Sequence, residues 1–249
     1  KRPLGRERPP RNQCGGVGPI NNRTGRKAGK ERNIMGNRAV ITDTSKEIGV
    51  YLHWNGGYDS VSAFCEYARL KNVPAPSADY DYAWARFCQI VGNFLGGTGP
   101  LGVGLYKRMD KDNGDNGVYI VGGNWEIVKR EYMRGAEQRN HDRAEMLEAI
   151  DNAQPEKERL GKAFLTAEVV PVSALKIGDE VAFVDYDGES HVARVIGYGT
   201  RDYVNGVKAR GVPYTDYYNG SGRPEENPNN YLQGETARRV RKEPEPKAE

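Results

Sequence analysis

No stretch of this sequence approaches the roughly 18 consecutive apolar residues that a membrane-spanning helix requires, and no basic segment followed by an apolar one reads as a signal peptide. A cytoplasmic protein in a bacterial host cell, with no membrane contact, is expected. Cysteine is scarce: Cys14 lies in a basic tail, Cys65 and Cys88 lie inside apolar helical patterns, and no C-x-x-C spacing occurs. Buried thiols in a reducing compartment are expected, not disulfides. The sequons Asn22-Arg23-Thr24 and Asn219-Gly220-Ser221 then carry no sugar. Histidine is equally rare, three residues without an H-x-x-x-H pair, which argues against a zinc enzyme, and no metal is expected. There is no G-x-S-x-G and no Cys-His assembly. Apolar (37%) and charged (29%) side chains are present in ordinary amounts, which excludes disorder of the whole chain and leaves room for one large domain or two small ones.

The positive charge is unevenly placed. Residues 1–34 hold ten Lys or Arg against Glu7 and Glu31, a net of +8, and the remainder holds 27 basic and 32 acidic residues, a net of −5. A basic arm suggests a phosphate tether. Against that, Gly29-Lys30-Glu31-Arg32 reads back into codons containing a purine run like a ribosome-binding site, just upstream of Met35. Residues 1–34 are therefore expected to be translated leader, or else a disordered basic arm.

After Met35, Arg38-Ala-Val-Ile-Thr42 and Ile48-Gly-Val-Tyr-Leu-His53 flank a turn-rich Asp43-Thr-Ser-Lys-Glu47, which predicts a hairpin. A helix capped by Asp59 or Ser60 should run to about Lys71, with Val61, Phe64, Cys65 and Ala68 as its apolar stripe. A second, following Asp79 or Asp81, should bury Ala83, Phe87, Ile90, Val91 and Phe94 and stop at Gly96-Gly97. The literal G-x-G-x-x-G at Gly97, Gly99 and Gly102 has a helix before it and an expected strand, Val103 to Lys107, after it, the reverse of a dinucleotide site. Asn113-Gly114 and Asn116-Gly117 predict a hairpin returning through Val118–Val121; the acidic loop from Asp110 fits the calcium-loop spacing poorly. Trp125 to Val128 should close the domain.

Residues 134–163 are charge-rich, with Ala144, Leu147 and Ile150 as a thin stripe, and read as a helical connector. From Leu165 the chain is strand-like: Glu168–Val172, Lys176–Asp179, Glu180–Asp185, a turn at Tyr186-Asp-Gly188, and His191–Ile196. These suggest a small SH3-like barrel. Six of the fifteen tyrosines fall in 198–231, a flap or a binding loop.

Tyr51-Leu-His-Trp-Asn-Gly-Gly57 carries the most information. On the second strand Ile48, Val50 and Leu52 share one face, so Tyr51 and His53 point to the other, at a strand end beside a glycine loop. A neutral imidazole there suits a general base or a ligand contact, with Asp59 to orient it, or else His53 merely bonds a loop carbonyl while Trp54 plugs the edge. Asp81, Tyr82 and Trp84 form an acidic and aromatic cluster beside the capping Asp79, which a solvated helix face explains equally well. Together with Arg38-Ala-Val-Ile-Thr42, the Tyr-Leu-His-Trp-Asn-Gly run resembles a group of phage and mobile-element proteins with an Arg-Ala/Ser-x-Ile strand followed by Tyr-x-His-Trp-Asp/Asn-Gly. The resemblance spans about residues 35–130 and departs at Asn55-Gly56-Gly57, where Asp-Gly-Tyr-Pro is commoner in that group. It implies such an origin and no particular chemistry.

The expected fold is α+β: an antiparallel sheet with two main helices over 35–133, a helical connector over 134–163, a small SH3-like β-barrel domain over 164–241 and a disordered tail over 242–249. The expected function is non-catalytic binding of a small molecule, or of a peptide or protein partner, around Tyr51, His53, Trp54, Asn55, Asp59, Asp81, Tyr82 and Trp84, without a cofactor. The alternatives are a hydrolase or transferase using His53 with Asp59 or Asp81, and a nucleic-acid module in the barrel, which the net of −5 after Ile34 disfavours.

Overall fold

The computed structural model describes residues 37–96, 99–185, 188–202, 208–217, 231–232 and 234–241. The expectations for residues 1–34, for the tail 242–249 and for Gly97, Tyr186, Tyr203 and Tyr218 lie outside them. Met35–Glu249 make one compact unit.

The fold is mixed α/β, with two five-stranded sheets and four helices among the described residues. Strands β1 (Ala39–Asp43) and β2 (Ile48–Leu52) form the expected hairpin, Val40 opposite Tyr51. The second expected hairpin is absent. Strand β3 (Leu101–Leu105) pairs with β2, and β4 (Val118–Val121) lies parallel to β1, with β5 (Ile127–Glu131) beyond it, giving the order β3-β2-β1-β4-β5. The first sheet is thus mixed rather than antiparallel. All four residues of β4 are buried, which suits a central strand covered on both faces and not a hairpin arm.

The Asn-Gly pairs serve a different purpose from a hairpin turn. The Asn113 amide oxygen accepts from the backbone N–H groups of Asp115 and Gly117, the Asn116 side chain donates to Asn37 and to the Arg38 carbonyl, and Asp115 pairs with Arg38 at 2.7 Å. All three loop side chains are buried. The segment from Tyr106 to Gly117 crosses the sheet face that carries Val40, Val118 and Ile120, and Tyr106 and Met109 pack there. Asn113 and Asp115 commit their oxygens to protein partners, and Asp112 pairs with Arg134, which leaves few of the loop's oxygens for a cation.

The opposite face is covered by α1 (Tyr58–Leu70), α2 (Tyr80–Leu95) and α3 (Arg143–Asn152). Val61, Phe64, Cys65 and Ala68 are buried as their spacing predicts. Gly57, not Asp59 or Ser60, caps α1, whereas Asp79 caps α2 and Gly96 ends it at φ +68°. Trp125 precedes β5 in a turn, at φ +55°, and stacks on Phe87 with ring centroids 4.6 Å apart. Within 134–163, α3 buries Met146, Leu147 and Ile150 in the same core, while Ala144 stays exposed.

The short helix α4 (Lys162–Leu165) leads into the second sheet: β6 (Glu168–Pro171), β7 (Glu180–Val184), β8 (Ser190–Asp202), β9 (Lys208–Thr215) and β10 (Thr236–Arg239), ordered β6-β10-β7-β8-β9 and antiparallel throughout. Lys176–Asp179 is a turn, closed by the Asp179 N–H donating to the Lys176 carbonyl, not a strand. Part of the tyrosine-rich segment forms the β8–β9 ladder. No helix among the described residues is long and apolar enough to cross a membrane.

Burial fixes a pH response. It pushes the Cys65 thiol up to about 12 and the Cys88 thiol up to about 11, and it raises the Tyr67 and Tyr119 hydroxyls as well. Above the unfolded-state values these groups hold more protons in the folded chain than in the unfolded one, so their contribution to stability is full below about pH 8.5 and is lost as pH rises beyond it. Urea melts at neutral pH and near pH 10.5 should show a loss approaching roughly 1.4 kcal/mol per pH unit for each group that titrates only when unfolded. A flat profile across that range would contradict the burial of these groups.

Candidate functional site

The structure splits the residues expected to form one site into two places. At the end of β2, the Tyr51 hydroxyl and His53 Nδ1 lie 3.3 Å apart, and the His53 ring meets the Trp54 ring edge-on at 4.8 Å. Both His53 and Trp54 are exposed. The residues that follow have structural duties. Asn55 takes φ +57°, which Asn tolerates. A Cβ on Gly56 would stand 2.6 Å from the Asn37 carbonyl oxygen, so only glycine fits there. The Asp59 carboxylate accepts from the N–H groups of Ser60 (2.8 Å), His141 (2.6 Å) and Asn140. It therefore anchors the strand-to-α3 segment onto α1 and does not orient His53. This end of β2 is an open aromatic face.

Asp81, Tyr82 and Trp84 start α2, where the neighbouring Tyr80 hydroxyl accepts from the Ile48 N–H at 3.0 Å. That is the opposite end of β2, roughly 17 Å from His53 at about 3.3 Å per strand residue. Asp81 is exposed, and Trp84 is core, edge-on to Trp125 at 5.4 Å. Of these three only Tyr82 lines a concavity, which the capping Asp79 also borders.

That concavity is a groove of about 1330 Å³ between α2, the α1–α2 connection and the second sheet. Val181 and Phe183 of β7 contribute to its lining, with Leu70 and Ile90 from the helices. Its polar lining includes Lys71, Tyr82 and Arg86. The Arg86 guanidinium lies over the Tyr82 ring, 5.4 Å from the centroid, and bonds Gln89 at 3.3 Å. Lys71 donates to the carbonyls of Glu158 and Gly188, tying the end of α1 to the β7–β8 turn, and burial lowers its pKa.

At the groove's rim His191 Nε2 lies 2.7 Å from Asp185, and its ring clusters with those of Phe183 (5.6 Å) and Tyr217 (4.8 Å). Asp185, Glu189 and His191 bring one ligand atom each within 4.8 Å of one another, the only such set among the described residues. Two carboxylates and an imidazole can hold a divalent cation. A histidine-pair pattern misses this set, which the antiparallel β7–β8 pairing, with Phe183 opposite His191, brings together. Lys71, Arg86 and the apolar lining gave no sequence signal, because they meet only through contacts between distant elements.

No family model matches the chain, and neither does any curated protein or any solved structure.

Proposed function

We propose that this is a non-catalytic binding protein whose ligand, a small molecule or a short peptide, lies in the groove between α2 and the second sheet, with Tyr82 and Arg86 as its main contacts. The observation that carries the reading is the groove itself: a large concave surface with apolar residues and a few convergent polar groups is the usual form of a ligand site. A hydrolase or transferase built on His53 is disfavoured, since Asp59 is occupied by backbone amides and Asp81 lies at the far end of β2. Nucleic acid is disfavoured too, because Arg194 and Arg239 of the second sheet pair with Glu180 and Glu168.

The same proposal includes a phage or mobile-element origin, from the resemblance at Arg38–Thr42 and Tyr51–Gly57, and a bacterial cytoplasmic location. It also reads the second sheet as a curled relative of an SH3-like barrel. The register shifts along β8 and the Tyr198 hydroxyl donating to the Leu175 carbonyl at 2.7 Å support that curl. Native mass spectrometry of the chain and of groove variants tests the binding reading.

A further inference from the structure

Every sheet edge leaves backbone donors and acceptors unpaired, and proteins blunt their edges with charge, proline or bulges. Three of the four described edges follow this rule. Strand β5 carries Lys129, Arg130 and Glu131 beside a register shift; β6 carries Glu168 and Pro171; β9 carries Pro213 and has two register shifts along its pairing. Strand β3 is Leu101-Gly-Val-Gly-Leu105, with no charge, no proline and no shift in its pairing to β2. Val103 is 57% and Leu105 46% exposed.

The hydrogen-bonding phase of this edge is fixed by its neighbours. The His53 N–H donates to the Pro100 carbonyl and the Tyr106 N–H to the Glu47 carbonyl, both at 2.8 Å, so the even-numbered residues of this stretch turn their backbone toward β2. Leu101, Val103 and Leu105 therefore turn theirs outward. Leu-Gly-Val-Gly-Leu also reads the same in both directions. Two copies paired antiparallel about Val103 would set Val103 against the partner's Val103, Leu101 against the partner's Leu105, and glycine against glycine. Each of the three outward residues then exchanges two backbone bonds, about six in all. Charge agrees with this register: Lys107 and Arg108 follow β3, so the basic ends of the two copies lie on the order of 25 Å apart at about 3.3 Å per residue.

We propose that the β3 edge is a homodimer interface, joining two copies of this chain through an antiparallel β3–β3 ladder into one continuous ten-stranded sheet with a two-fold axis at Val103. The interface is independent of the groove. It places apolar side chains opposite apolar ones on the helix-bearing face and leaves the glycines of both copies on the other.

Light scattering on the full chain, from about 1 to about 200 µM, should show the mass rising from 27.7 kDa toward twice that value. Val103→Lys and Val103→Glu should each remain single chains that melt like the wild-type chain at low concentration, since like charges then meet at the axis. Mixed in equal amounts, the two variants should dimerise again. Hydrogen exchange on the wild-type chain reads the same edge without any substitution: the Leu101, Val103 and Leu105 amides should exchange at least tenfold more slowly at the high concentration. A wild-type chain that stays single, a Val103→Lys chain that still dimerises, a mixture that stays single, or edge amides indifferent to concentration would each overturn the proposal. A β3 edge that binds an added extended peptide while the chain stays single would overturn it in favour of a heterologous partner.

Discussion

Asp151→Ala is expected to destabilise the protein by about 3–5 kcal/mol, the range for stripping a buried charge from the donors that face it. Asp151 is 3% exposed and sits near the end of α3. Its carboxylate accepts from the Tyr67 hydroxyl at 2.7 Å and from the N–H groups of Leu160 and Gly161 at 2.6 and 3.0 Å. Removing it takes the acceptor from a phenol and two backbone amides. Tyr67→Phe should cost less, about 1–2 kcal/mol, because the two amides still hold the carboxylate. Urea melts of both single variants and of the double variant check the account, and the double should fall short of the sum. An Asp151→Ala chain as stable as wild type would mean that the turn after α3 does not close on α1.

Trp125→Ala should cost about 3–5 kcal/mol, as for other buried aromatic truncations. The indole is 1% exposed, parallel to Phe87 within 9°, and its Nε1 donates to the Pro74 carbonyl at 2.9 Å. It joins the β4–β5 turn to α2 and to the chain before it. Trp125→Phe should recover about half of the loss, since it restores the stacking area but not the bond to Pro74. Equal melts for Trp125→Ala and wild type would contradict its place in the core.

Where local periodicity decides the structure, the sequence was readable. The alternation in Ile48–Leu52 and the spacing of Val61, Phe64, Cys65 and Ala68 predicted β2 and α1, and Asp79 with Gly96 bounded α2. Where partners far along the chain decide it, the sequence misled. Asn113-Gly114 and Asn116-Gly117 have the composition of a hairpin turn, but their side chains fold back onto Gly117 and Arg38, and β4 inserts beside β1. Asp59 resembles a helix cap or a catalytic orienter until the amides of Asn140 and His141 are seen to converge on it, over eighty residues later. Of the eight residues nominated for a site, Tyr51, His53 and Trp54 do meet, on an open face. Tyr82 alone lines the groove, because its other walls come from the second sheet, whose position no local pattern encodes.

The most direct measurement compares the natively purified full chain with Tyr82→Ala, Arg86→Ala and His53→Ala by native mass spectrometry after incubation with a cell extract of metabolites and peptides. Tyr82 and His53 are exposed and Arg86 is half-buried at the groove rim, so all three variants should keep the wild-type melt within about 0.5–1 kcal/mol. The groove reading expects an adduct on the wild-type chain that is lost in Tyr82→Ala and Arg86→Ala and kept in His53→Ala. An adduct that survives both groove substitutions and disappears with His53, or a wild-type chain that retains nothing, would contradict it.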